Sequence, residues 1–277
     1  MVYRSLLFTP ANRLDRFEKA HGAGPDWVAL DLEDGIGESE KNVCRQSLND
    51  LSRAGFQDRA AVTAVRINAA GTPHGVRDLA AMLDWPTWPG MVILPKVNSS
   101  EQISDFWSLA QSCGQTPHLL ITLETAIGVE RAPEILRDAP ASAVVGFGSA
   151  DYMAEVGGDM TAPSLAWARG RILSAASLAG LPAMDGVRLD IKDSDGLIQE
   201  AAMVKSMGFA GKIAIHPAQI APINSVFTPS AAETETARDM LAASDAAGGG
   251  AFAFQGKMVE GPVLARARRM LNIEKEG

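Results

Sequence analysis

"WVALDLEDG", residues 27–35, begins as an apolar strand and ends in acids. Val28, Leu30 and Leu32 share one phase of a period-2 pattern, Asp31 and Glu33 occupy the other, and Asp34 closes the run. Side chains of an extended chain point alternately to opposite faces, so a period of two marks a strand. A strand that is apolar on one face and acidic at the end of the other suits a parallel sheet with helices outside and a polar site at its C-terminal edge.

Seven other segments carry the same β-rich character. They are SLLFTP (5–10), AVTAVRIN (61–68), MVILPKV (91–97), HLLITLE (118–124), AVVGFGS (143–149), AMDGVRLD (183–190) and KIAIHP (212–217). With WVALDLE (27–33) they make eight. The stretches between them, such as 38–54, 101–113 and 194–207, are long enough for a helix and its loops. Strands alternating with helices predict a parallel sheet. Eight such units predict a closed (β/α)₈ barrel, a TIM barrel, rather than an open doubly wound sheet. The barrel is expected over residues 1–228. Residues 229–277 form a C-terminal extension: a helix over 230–247 capped by Ser230 or Thr228, a break at the glycines 248–250, a hairpin in AFAFQGKMVEG, and a last helix opened by Pro262 at its first position. Closing the barrel does not need this extension, so it reads as a lid or an oligomerisation arm.

Composition narrows the class. The chain is 47% hydrophobic with a formal net charge of −8. No apolar run is long enough for a membrane span, and the apolar part of MVYRSLLFTPANR is too short for a secretory signal. The two cysteines, Cys44 and Cys113, make no metal-type pair and point to a reduced, cytoplasmic setting. The acidic balance argues against nucleic acid as a partner. Histidines at zinc-ligand spacing are absent from the sequence, and GFGSADYMAEVGG lacks the glycine order of a dinucleotide loop.

Active sites of such barrels lie where strands run into the following loops. Arg66 alternates with Val65 and Ile67; Lys96 shares a phase with Val92 and Leu94; Glu124 with Leu120 and Thr122; His216 with Ala214. Strands two, three, four, five and eight are therefore expected to end their inner faces in polar groups. Glu33, Asp34, Glu124 and Asp151 would gather at one mouth with Arg66 and Lys96. Several carboxylates at close range do not all stay ionised without compensation. Arg66 and Lys96 offset two of them, and a divalent cation would offset the rest. Mg²⁺ takes oxygen ligands, commonly one or two carboxylates with water and substrate. Glu124 and Asp151, one strand–helix–strand step apart, are the expected metal pair. Each residue also has a plainer reading: Glu33, Asp34 and Asp151 as helix caps, Arg66 as a structural ion pair, Glu124 as a helix start.

At these residues the chain resembles the citrate lyase β-subunit-like group of the HpcH/HpaI aldolase superfamily, which includes malyl-CoA, β-methylmalyl-CoA and citramalyl-CoA lyases. The motifs RSLLFTPANR, DLEDGIGESEK, VRIN, LPKV, LETAIGV, GSADYMAEVG, AIHPAQI and GKMVEGPVLARARRML carry the likeness in order along the chain. The resemblance implies a Mg²⁺-dependent carbon–carbon lyase, with Mn²⁺ as a substitute, that cleaves a short hydroxyacyl-CoA to a 2-oxo acid and an acyl-CoA. It implies metal on Glu124 and Asp151, Arg66 on the substrate carboxylate, and Glu33, Asp34 and Lys96 in the surrounding polar network. It places Arg4, Arg16 and Lys19 at the phosphates of coenzyme A, and it implies a homo-oligomer, a trimer or hexamer. The group's tail motif is MVD, whose acid reaches a neighbouring subunit's site; here Glu260 stands in that place, one methylene longer. Alternatives within the resemblance are the β subunit of a citrate lyase complex acting on citryl-acyl carrier protein, a malate-synthase-like thioesterase, and a non-catalytic regulatory relative.

Overall fold

The computed structural model describes residues 3–248 and 250–276. Eight parallel strands form a closed barrel in sequence order: β1 (Ser5–Pro10), β2 (Trp27–Asp31), β3 (Thr63–Arg66), β4 (Met91–Leu94), β5 (His118–Leu123), β6 (Ala143–Phe147), β7 (Ala183–Asp185) and β8 (Gly211–Ala214), with β8 pairing back to β1. At that seam Gly211 lies so close to the backbone carbonyls of Tyr3 and Arg4 that a Cβ would overlap them. Only glycine lets the first and last strands approach there.

The period-2 pattern sorts the core into two layers. Val28 and Leu30 of β2, with Val65, Val92, Leu119, Ile121 and Val145, pack outward against the helices. Trp27 and Ala29, with Leu6, Ala64, Met91, Ile93, Leu120, Val144, Met184 and Ile213, fill the barrel interior. Asp31 therefore points inward at the C-terminal end of β2 and is 3% exposed. The helices Lys41–Arg53, Ser100–Ser112 and Ser194–Met207 occupy the predicted gaps. Ser99 and Gln102 form a reciprocal capping box at the second of them, satisfying amides that the first turn leaves unpaired. Among the described residues no helix is long and apolar enough to cross a membrane.

Three expectations are corrected. Val92 and Leu94 face the helices, so strand phase alone would point Lys96 outward; the strand stops at Leu94, and Lys96 adopts a left-handed backbone with φ 51° that brings its side chain to the mouth. On β8 the inner phase belongs to Ile213 and Ile215, and His216 instead caps the short turn Pro217–Gln219, its Nδ1 accepting from the Ala218 N–H. Arg4 precedes β1 and stands at the opposite end of the barrel, roughly 20 Å from the mouth at the rise of a six-residue strand. There its Nε and Nη2 grip Asp26, the latter at 2.6 Å. Arg4 is a structural ion pair and not a contact of the mouth.

The described chain divides into two compact units, Tyr3–Phe227 and the tail from Thr228 onward. In the tail, Ser230 caps the helix Ala231–Ala246 in a capping box with Glu233. Strands β9 (Phe252–Phe254) and β10 (Lys257–Val259) make an antiparallel hairpin whose turn residues, Gln255 and Gly256, both have positive φ, as the right-handed twist of a two-residue hairpin demands. The last helix, Gly261–Glu276, starts one residue before Pro262 and packs against Ala231–Ala246. Of the expected glycine break, Gly248 and Gly250 have φ of 72° and 87°; Gly249 lies outside the described residues.

Candidate active site

A cavity of about 290 Å³ opens at the C-terminal ends of the strands. Phe8 and Pro10 of β1, Asp31, Asp34, Gly35, Arg66, Thr122 and Glu124 line one part, and Phe147 with the segment from Gly148 to Asp151 lines another; Val187, Ile213 and Ile215 complete the wall.

The acid-rich end of β2 folds over its own first carboxylate. Asp31 accepts the backbone N–H of Glu33 at 2.8 Å and of Gly35 at 2.9 Å. Gly35 sits against Asp31 Oδ2, where any side chain would overlap it. The same carboxylate takes a two-pronged grip from Arg66, with Nε to Oδ1 and Nη2 to Oδ2 both at 2.7 Å. That planar fork fixes the guanidinium in a way a lysine would not. Arg66 also lies 4.6 Å over the Phe8 ring, and its Nη1 is 2.8 Å from Glu33 Oε2.

The turn 31–35 brings Glu33 and Asp34 to Lys96, whose Nζ lies 2.6 Å from Glu33 Oε1 and 2.9 Å from Asp34 Oδ2. Burial pushes the Lys96 ammonium towards deprotonation, but hydrogen bonds and charge from Glu33 and Asp34 outweigh it and raise its pKa. Burial also raises Glu33, against the opposing pull of Arg66 and Lys96.

Glu124 follows β5 and is 2% exposed. Its Oε1 accepts the backbone N–H of Lys96 at 2.7 Å. Gly148 is pressed against it, leaving no room for a Cβ. Burial first, then the charges of Glu33 and Asp151, push the Glu124 carboxyl up to about 8, with Arg66 opposing. Asp151 sits half-buried in the first turn of the helix Ser149–Val156 and lines the same cavity. The mouth thus holds more negative charge than Arg66 and Lys96 balance, and a divalent cation suits that deficit. Among the described residues no three histidine, cysteine or acidic side chains are grouped to hold a metal. A cation held by two carboxylates would complete its shell with water and substrate, the habit of Mg²⁺.

The structure therefore brings Glu33, Asp34, Arg66, Lys96, Glu124 and Asp151 together. Arg16 and Lys19 lie exposed in the segments Ala11–Arg16 and Phe17–Gly22 that leave the C-terminal end of β1. Glu260 is exposed after β10, and its carbonyl accepts the N–H of Val263 and Leu264 at the start of the last helix. Sequence reasoning missed Asp31 as the anchor of Arg66, although its inward phase was legible. It also missed two sets of charges beneath the mouth. Lys41, Asn68 and Asp78 lie behind β2 and β3. Arg169, Asp185, Glu200 and Lys212 lie by β7 and β8. The signal for the latter was a lone charge inside an apolar run, Asp185 in AMDG and Lys212 in GKIA.

Two family models match. The HpcH/HpaI aldolase/citrate lyase model covers residues 4–217, and a model of a C–C bond lyase of the TIM-barrel fold covers residues 177–272. The chain is 36% identical to a citrate lyase subunit beta-like protein of Deinococcus radiodurans, over 99% of this chain and 98% of that one. It is 32% identical to the mitochondrial citramalyl-CoA lyase of Rattus norvegicus, over 98% of this chain and 85% of that one. The crystal structure of the protein CitE from Mycobacterium tuberculosis, in complex with magnesium, acetoacetate and coenzyme A, matches with a TM-score of 0.81 at 38% identity, over 99% of this chain and 98% of that one. Fold, site and relatives together define a carbon–carbon lyase built on a (β/α)₈ barrel. The chain belongs to the HpcH/HpaI aldolase/citrate lyase family.

Proposed function

We propose that this lyase cleaves a short 3-hydroxyacyl thioester of coenzyme A bearing a carboxylate on the hydroxyl carbon, giving a 2-oxo acid and an acyl-CoA with the help of Mg²⁺. The observation that carries this reading is the convergence of Glu124, Asp151 and Arg66 on one cavity. The metal and coenzyme A of the mycobacterial complex and the activity named for the rat relative support it.

Glu124 and Asp151 would hold the cation, and Glu124 releases its proton to do so. When bound, the cation supplies Lewis-acid stabilisation of negative charge on substrate oxygen. Arg66, locked by Asp31 and stacked on Phe8, turns its remaining N–H groups to the substrate carboxylate. The carboxylates of Glu33 and Asp34, or a bound water, are the bases available to take the hydroxyl proton as the bond between the hydroxyl carbon and the thioester α-carbon breaks. The thioester enolate that leaves needs a proton, and Glu260 of a neighbouring chain in a homo-oligomer is its proposed donor. Arg16 and Lys19 would meet the phosphates of coenzyme A. Assembly is supported by the helix Ala162–Leu178, where Trp167 is 56% and Leu178 80% exposed.

The test is turnover of purified protein with Mg²⁺ on citramalyl-, malyl-, methylmalyl- and citryl-thioesters. Cleavage of at least one of the first three as the coenzyme A ester, lost on chelation, is expected. Cleavage of the citryl-carrier substrate alone would replace coenzyme A by an acyl carrier protein. Calorimetry of the Glu124→Ala, Asp151→Ala double variant tests the metal pair, since unchanged Mg²⁺ affinity would exclude it.

A further inference from the structure

Lys41 opens the helix Lys41–Arg53 and is 8% exposed. Among the described residues its ammonium makes no ion pair with a carboxylate. Its three hydrogen bonds go to the carbonyl oxygens of Leu32 and Glu33, both at 2.9 Å, and to Asn68 Oδ1 at 2.6 Å. An ammonium has three protons, and all three are thereby used. Asn68 is fixed in turn: its Nδ2 donates to Leu32 O at 2.9 Å and to Asp78 Oδ2 at 2.6 Å, and its backbone N–H donates to the same Asp78 oxygen at 2.8 Å. Asp78, 1% exposed, takes Arg45 Nε on its other oxygen at 2.8 Å. A buried chain of hydrogen bonds thus runs from the outer helices through Asp78, Asn68 and Lys41 and ends on the backbone of the turn that carries Glu33.

We infer that Lys41 is a positioning residue for the proposed reaction, and the inference rests on that reading of the site. Asp31 holds the turn from inside the barrel and Lys41 holds it from outside. Between them the carbonyl of Glu33 has one place, so its carboxylate is aimed at Arg66 and Lys96 together. Three oxygens converging on one point suit a tetrahedral donor. A planar guanidinium does not reproduce that geometry, and a neutral side chain of similar length leaves the acceptors unpaired. Stability alone does not explain the residue, because a buried ammonium without a direct counter-ion is expensive and apolar packing commonly serves as well. Orientation of Glu33 does explain it.

The variants are Lys41→Met, Lys41→Arg and Lys41→Ala, compared with the parent in kcat, KM, Mg²⁺ affinity and melting temperature. Lys41→Met should lower kcat by about tenfold or more while KM and Mg²⁺ affinity stay within about threefold, because the lysine touches neither substrate nor Glu124 and Asp151. Lys41→Arg should not recover kcat. Propylammonium, which replaces the atoms missing from Lys41→Ala, should restore kcat in part. Full kcat in a folded Lys41→Met protein overturns the inference, as does propylammonium that restores melting temperature but not kcat. If Lys41→Met does not fold, Asn68→Ala takes its place, with a loss in kcat of about threefold or more at unchanged KM expected and an unchanged kcat overturning the claim. Should the parent cleave no thioester, the proposed function fails on its own. The crystal structure of Lys41→Met then decides the positioning claim: a Glu33 carboxylate displaced from Lys96 supports it, and an unmoved one refutes it.

Discussion

Lys96 donates its backbone N–H to Glu124 Oε1 at 2.7 Å from a left-handed conformation. The same twist turns its Nζ back to Glu33 and Asp34, so one residue ties the end of β5 to the end of β2. The two ties are separable. Glycine adopts this φ without strain, whereas a β-branched side chain resists it. Lys96→Gly should keep Glu124 in place and hold Mg²⁺ affinity within about threefold while activity falls, since only the ammonium is lost. Lys96→Ile should lose about tenfold or more in Mg²⁺ affinity as well. Calorimetric titration of the two variants separates these outcomes, and equal affinities would mean that the backbone turn does not place Glu124.

Arg66→Lys keeps the charge but not the fork. A lysine cannot span both oxygens of Asp31, lie over Phe8 and reach Glu33 at once. We expect kcat/KM to fall more than tenfold, about 1.4 kcal/mol or more of transition-state stabilisation. Steady-state kinetics at parental levels in this variant would remove Arg66 from its assigned role.

Glu124 makes the metal-free protein sensitive to pH. Its folded pKa of about 8 lies above the ordinary 4.5, so between those values the folded chain keeps a proton that the unfolded chain has released. The Glu124 contribution to stability is therefore full below pH 4.5 and is lost as pH rises towards 8. With chelator present, Glu124→Gln should show a shallower decline of melting temperature across that window than the parent. Mg²⁺ binding near pH 7 should also expel a proton. Titrations in two buffers of different ionisation enthalpy read that proton directly, and identical apparent heats would contradict the linkage.

Glu260 is proposed to act on a neighbour's substrate. Glu260→Ala should lower kcat far more than it weakens binding, and Glu260→Asp should stay active. Glu260→Ala chains mixed with Glu124→Ala chains should regain activity once subunits exchange, because some sites then combine an intact metal pair with an intact acid. Exchange seen by mass spectrometry without any recovered turnover would rule out the shared site.

The strands were legible because the period of two survives in every one, and β2 announced its own inward acid. Arg66 and Glu124 were legible because phase carried them to the mouth. Lys96 reached the mouth by a route that phase does not encode, a positive φ after the strand had ended. His216 failed for the opposite reason: alternation continued on paper while the chain had already turned, leaving Ile215 inside. Arg4 showed that a basic residue near a motif can belong to the far end of the barrel. Lys41 was invisible because a lysine in a sequence reads as surface; Lys212 left only the faint signal of a lone charge in an apolar run, and the folded chain shows both ammonium groups enclosed by oxygens.

Thioesters are acyl donors, and an unprotonated amine beside one is a target for acylation. Lys96 is the amine at this mouth, and its side chain is a third exposed. Glu33 and Asp34 hold it as an ammonium, with no lone pair to offer. The carboxylates that crowd the end of β2 thereby guard the protein against its own substrate: with both removed, burial alone would act on the nitrogen and favour its neutral form, and a modified lysine is the damage to look for.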